Sequence, residues 1–154
     1  MDIYGVIGWP IKHSLSPAMH NAAFKALGID AEYRAFEVKP ESLGDFFADI
    51  DSCIKGLNVT IPHKEKALDF IQLDQESSYL RQIKAVNTLV RQDRIWKGFN
   101  TDIPGFSRHL KELRFDPKDK KIAILGAGGA SRAVSYVLAN QGEASCRPKQ
   151  EPQV

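Results

Sequence analysis

Three short apolar runs, at residues 3–8, 31–38 and 55–61, alternate with segments of helical pattern, and this alternation restricts the fold more than any other feature. A strand that feeds a helix returns most easily to the same sheet as a parallel neighbour, so the first three strands are expected to be parallel. The first helix is predicted to open with Ser16 as N-cap and Pro17 at the first helical position. Met19, Ala22, Ala23, Ala26 and Leu27 recur at the spacing of one apolar face, and Gly28 closes it. Pro40 opens a second helix with Leu43, Phe46, Phe47 and Ile50 on its buried face. After the third strand, Pro62 reads as the first residue of another helix, which puts Lys64 in its first turn. A weaker helical pattern covers residues 75–83. Residues 85–91 and 94–99 read as two strands joined by a tight turn at Gln92 and Asp93. Thr101 can then cap a helix with Ile103, Phe106, Leu110 and Leu113 facing inward.

Past a junction at Phe115-Asp116-Pro117 comes a predicted strand at residues 120–125, a turn Gly126-Ala127-Gly128-Gly129-Ala130-Ser131, and a helix with Ala130, Ala133, Val134, Val137 and Leu138 on one face. Glycines at a strand-to-helix turn let the backbone approach a pyrophosphate, which then sits on the helix N-terminus. The third fingerprint position holds Ser131 rather than Gly or Ala, and a plain tight turn is the competing reading. A complete dinucleotide fold needs a second strand whose end reads the adenosine ribose about 20 residues on. Residues 142–154 contain no apolar run to build it and are expected to be a disordered tail. The fold class is therefore α/β: a three-layer domain with a mostly parallel sheet, followed by an incomplete Rossmann-type unit.

With 154 residues, 43% of them hydrophobic, the chain is long enough for one domain and the start of another. Lys and Arg number 21 against 19 Asp and Glu, and a net charge of +2 gives no basic surface for nucleic acid or membrane. The first residues lack the charged and apolar regions of a signal peptide, and no stretch approaches the ~18 apolar residues of a spanning helix, so a soluble cytoplasmic protein is expected. Cys53 and Cys146 are far apart without metal-ligand spacing, which argues for neither a disulfide scaffold nor a bound metal.

Ligands of such sheets gather outside the carboxyl ends of the strands. Those ends carry Ser14 and Ser16, then Asn58, Thr60 and Lys64, and finally Asn100, Thr101 and Asp102. A lysine in a first helical turn faces the positive end of the helix dipole, so stability does not favour it there. An aspartate in the same position is favoured, which makes a structural role for Asp102 a live alternative. A solvated Lys64, a capping Ser16 and an Asn87 that closes a strand end also stay open.

Three stretches, Ser14-Leu15-Ser16-Pro17, Asn58-Val59-Thr60-Ile61-Pro62-His63-Lys64-Glu65 and Ala85-Val86-Asn87-Thr88, followed by Asn100-Thr101-Asp102 and the glycine turn, together resemble the shikimate dehydrogenase family in motif and order. The resemblance implies reversible NADP-dependent reduction of 3-dehydroshikimate to shikimate, a step toward chorismate and the aromatic amino acids. It implies that Ser14 and Ser16 bind the substrate carboxylate, that Thr60, Asn87 and Asp102 hold ring hydroxyls with Asn58 close by, and that Lys64 is catalytic together with Asp102. Gly126, Ala127, Gly128, Gly129 and Ala130 match the pyrophosphate turn. Residues 1–116 then form a shikimate-binding catalytic domain, 117–141 a truncated NADP-binding unit, and 142–154 the tail. The expected partner is the small-molecule substrate, with a homodimer left open and neither nucleic acid nor membrane. Two departures stand out: Lys84 occupies a position where the family usually has glycine, and the family's later Rossmann strands have no counterpart, so the chain is expected to be a truncated enzyme. A quinate/shikimate dehydrogenase using NAD and a non-catalytic shikimate-binding fragment are the alternatives.

Overall fold

Five strands form one sheet: β1 (Asp2–Gly8), β2 (Ala31–Glu37), β3 (Ile54–Val59), β4 (Thr88–Gln92) and β5 (Ile95–Phe99), in the spatial order β2-β1-β3-β4-β5. The structure is a computed structural model and describes residues 1–141 except 76 and 78. The expected tail at 142–154 lies outside the described residues. β1 pairs in parallel with both β2 and β3, as the helical crossovers require. β3, β4 and β5 are antiparallel to their neighbours. The β4–β5 turn falls at Asp93 and Arg94, one residue later than expected, with Asp93 in the left-handed region at φ 55°.

Alternation along the strands separates two faces. On one, Ile3, Ile7, Leu57, Val59 and Leu89 join a core covered by α2 (Leu43–Ala48), the 3-10 helix Lys66–Phe70 and the single turn of α3 (Leu80–Ile83). Leu43, Phe46, Phe47 and Ile50 face this core as their spacing predicts. On the other face, Val6 and Tyr33 pack with Tyr4 and Phe24 under α1 (Ser16–Leu27). A third cluster joins α4 (Asp102–Glu112) to α5 (Gly129–Gln141) through Leu110, Val137 and Leu138.

Several elements depart from the expectations. α1 turns Met19 and Leu27 outward, 61% and 73% exposed, and presents His20, Asn21 and Phe24 to the sheet instead. Its alanines bury little area, whereas the Phe24 ring fills space beside Tyr4 and the Asn21 amide bonds both the N–H and the C=O of Tyr33. Ser16 is the first helical residue rather than the N-cap, and the Ser14 hydroxyl accepts its N–H at 3.3 Å. Pro62 follows a cis peptide bond inside a turn at residues 61–65, and helical geometry starts only at Lys66. Lys64 is thus not at a helix start, and the dipole argument does not apply to it. The helical pattern at 75–83 yields only α3; before it, Asp74 and Ser77 bond each other's backbone N–H.

Thr101 makes no side-chain cap to α4; the Asn100 side chain accepts the Asp102 N–H instead. Leu113 lies past the end of α4 and is exposed, as is Ala130 on α5. Residues 120–125 do not form a ladder strand, and only Leu125 makes a bridge. A strand is stabilised by the neighbour that pairs with it, and among the described residues no second Rossmann strand flanks this segment.

Candidate active site

Lys64 leaves the turn that follows β3, and Asp102 opens α4 just after β5. Their side chains meet with Nζ 2.7 Å from Oδ2, both partly shielded from solvent. The Lys64 carbonyl accepts the Val86 N–H at 2.7 Å, which ties the turn to the strand leading into β4. Asn87 is buried beside this pair. Its amide nitrogen donates to Asp102 Oδ1 and to Thr101 Oγ1, both at 2.9 Å, and its oxygen accepts the Thr101 N–H at 2.9 Å. The carboxylate is therefore held through both oxygens, one by an ammonium and one by an amide, and its orientation is determined.

Asn58 and Thr88 are register partners across β3 and β4 and project from the α1 face of the sheet. The Asn58 amide nitrogen lies 3.4 Å from Thr88 Oγ1, and the Thr88 hydroxyl donates to Asn87 Oδ1 at 3.0 Å. Lys64, Asp102, Asn87 and Asn58 thus belong to one hydrogen-bonded group. Ser14 and Ser16 do not join it; they line an adjoining cleft of about 460 Å³ beside Ile11 and His13. Thr60 and Ile61 form a wall common to that cleft and to a second one of about 540 Å³ that contains Lys64.

The second cleft is lined across from Lys64 by Gly126, Gly128, Gly129, Ala130 and Ser131, while Ala127 lies in the same turn without lining it. Gly126 has φ +105°, a conformation side chains rarely adopt, and space around Gly126 and Gly128 is open. Gly129 is different: a Cβ there would come 2.8 Å from Lys64 Cβ, so the third glycine of the turn is required by the lysine it covers. One turn along α5, Arg132 pairs with Glu65 at 2.7 Å, and the helix start is thereby docked on the Lys64 turn from two sides. An open glycine turn leading into a 13-residue helix, facing a cation, fits a phosphate-bearing cofactor. Among the described residues no group of His, Cys, Asp and Glu is arranged to hold a metal ion, and no helix is long and apolar enough to cross a membrane.

Sequence reasoning missed Tyr33, whose hydroxyl donates to Asn58 Oδ1 at 2.7 Å, and Thr88, Glu65 and Arg132 as parts of the site's framework. Asn21, a lone amide amid apolar residues of α1, was the one available signal of a polar link across that face.

The model of the shikimate dehydrogenase substrate-binding domain matches residues 6–89, more than half of the chain. The chain belongs to this family. It is 48% identical over 141 residues to the NADP(+) shikimate dehydrogenase of Moorella thermoacetica, covering 91% of this chain and 47% of the relative. With the enzyme of the same name from Methanopyrus kandleri it shares 51% over 144 residues, covering 92% and 49%. The shikimate dehydrogenase of Thermus thermophilus, solved with NADP(H) and shikimate, superposes with a TM-score of 0.76 at 38% identity, covering 91% of this chain and 52% of that one. The chain spans about half the length of the curated relatives it matches.

Proposed function

We propose that the chain is the substrate-binding and catalytic part of a shikimate dehydrogenase, which reduces 3-dehydroshikimate reversibly to shikimate with NADPH. The observation that carries this reading is the Lys64–Asp102 pair, locked by Asn87 and facing a glycine turn across one cleft. NADPH supplies the hydride when bound, and the turn from Gly126 to Ala130 is the part of this chain that would hold its pyrophosphate. Reduction leaves negative charge on the former ketone oxygen. Lys64 Nζ donates its proton to that oxygen, and Asp102 orients the ammonium while accepting a substrate hydroxyl. Asn87, Asn58 and Thr60 complete the hydroxyl contacts, and Ser14 and Ser16 bind the carboxylate from the adjoining cleft. In the reverse direction a neutral Lys64 takes the hydroxyl proton as hydride leaves.

Calorimetric titration of the chain with shikimate and, separately, with NADPH tests the proposal. Saturable heat with shikimate is expected, and its loss in Asp102→Ala would link it to this site. A wild-type chain that folds and gives no shikimate binding overturns the reading; binding of shikimate without any response to NADPH points instead to a module that only holds the substrate.

A further inference from the structure

The hydrogen bonds that run from Asp102 into the sheet have only one consistent direction. An ionised carboxylate accepts and cannot donate, so the Asn87 group at Asp102 Oδ1 must be its NH₂, 2.9 Å away. The opposite side of that amide faces the Thr101 backbone N–H, which can only donate, at 2.9 Å. Both neighbours demand the same orientation, with Asn87 Oδ1 turned toward Thr88. The Thr88 hydroxyl gives its proton to that oxygen at 3.0 Å, which leaves a lone pair facing the Asn58 NH₂ at 3.4 Å. The oxygen of Asn58 then points away from Thr88, and Tyr33 must donate to it, at 2.7 Å.

The surroundings of Tyr33 hold it in place for that donation. It is 4% exposed, under α1, with the Asn21 side chain bonded to its backbone on both sides and the His20 ring stacked on it at 4.2 Å. Burial pushes its hydroxyl up to about 12, so the donated proton is retained at ordinary pH. The alternation of the strands places Tyr33, Asn58 and Thr88 on one face across β2, β3 and β4; the Tyr33 side chain spans the intervening strand β1 to reach Asn58, and Asn58 in turn reaches Thr88.

We infer that Tyr33 is a positioning residue: as the last donor of a directed relay from Asp102, it holds Asn58 with its NH₂, rather than its oxygen, toward the substrate cleft. The inference rests on the proposed contact between Asn58 and a substrate hydroxyl. Its chemical content is that the Asn58 position selects a ligand oxygen that accepts a hydrogen bond. Without Tyr33 the Asn58 oxygen loses its partner and the amide can rotate, presenting the wrong atom.

The test is a double-mutant cycle on the full chain, with shikimate as the titrant and Tyr33→Phe, Asn58→Ala and their combination as variants, each checked for folding by its thermal midpoint. Tyr33→Phe is expected to weaken binding by about 3- to 10-fold, the worth of one hydrogen bond. In the Asn58→Ala background the same change should alter affinity by less than about 2-fold. Equal weakening in both backgrounds, or none in either, overturns the relay. A second measurement does not depend on shikimate binding: the Asn58 side-chain amide resonances, identified by their loss in Asn58→Ala, should shift in Tyr33→Phe. Unchanged resonances overturn the inference even if the wild-type chain binds no shikimate, an outcome that would separately defeat the functional proposal.

Discussion

Lys64 and Asp102 come together from positions 38 residues apart, and in the proposed mechanism each makes the other's chemistry usable. An ammonium that gives up its proton as an alkoxide forms acts mainly in the transition state. In the chain joined to the second half of a curated relative, Lys64→Ala is therefore expected to lower kcat by roughly 10² to 10⁴ while moving KM much less. Asp102→Asn should impair both terms, because in the proposed mechanism the same carboxylate orients the lysine and meets a substrate hydroxyl; steady-state kinetics on the two variants separates these outcomes. Tyr33 carries a pH signature of its own. Its hydroxyl is raised from about 10 in an unfolded chain to about 12 in the fold. The folded state thus holds this proton more tightly, so the stability it contributes is fully present below about pH 10 and is lost as pH rises toward 12. Urea midpoints measured from pH 8 to 11.5 should fall less steeply for Tyr33→Phe than for the wild-type chain. Parallel slopes for the two would mean that this proton is not coupled to folding.

Among the elements, the ends carry the sharpest consequences. Lys84 caps α3 in the left-handed region at φ 53°, and its N–H closes on the Leu80 carbonyl at 2.7 Å. The backbone there adopts a conformation open to glycine but sterically disfavoured for a lysine. Lys84→Gly is expected to stabilise the chain by about 0.5–1 kcal/mol, as read from thermal or denaturant unfolding. Gly129→Ala should do the opposite: its methyl would meet the anchored Cβ of Lys64 rather than a yielding side-chain tip, at a cost of about 1–3 kcal/mol. The first of these effects rests on a backbone angle, the second on what lies across the turn. The apolar face of α2 was legible because its aromatic residues dominate the burial. That of α1 was not, since its regularly spaced alanines are weak competitors for a sheet surface that Phe24, His20 and Asn21 fill better.

For the molecule as a whole, helical segments cover both faces of the sheet, while residues 120–125 form no ladder and contribute Ile124 to the cluster between α4 and α5. Hydrogen exchange should find the amides of residues 120–127 the least protected of those between the two ends of the described chain, and those of β1 and β3 among the slowest. Protection at 120–127 equal to that of β3 would require a covering partner. The chain by itself is expected to bind shikimate but to turn over 3-dehydroshikimate well below the ~1 s⁻¹ at the low end of ordinary enzymes, as followed by NADPH oxidation. The sequence alone determined the parallel core, the hairpin after it and the family, because strand alternation, turn residues and motif order are local properties that survive without coordinates. Only the tertiary structure decided that Lys64 sits in a turn rather than a helix, which face of α1 is buried, and that Tyr33 reaches Asn58. These depend on what each side chain meets across space, where competing partners differ by one hydrogen bond or one ring, and no spacing along the chain records which partner wins.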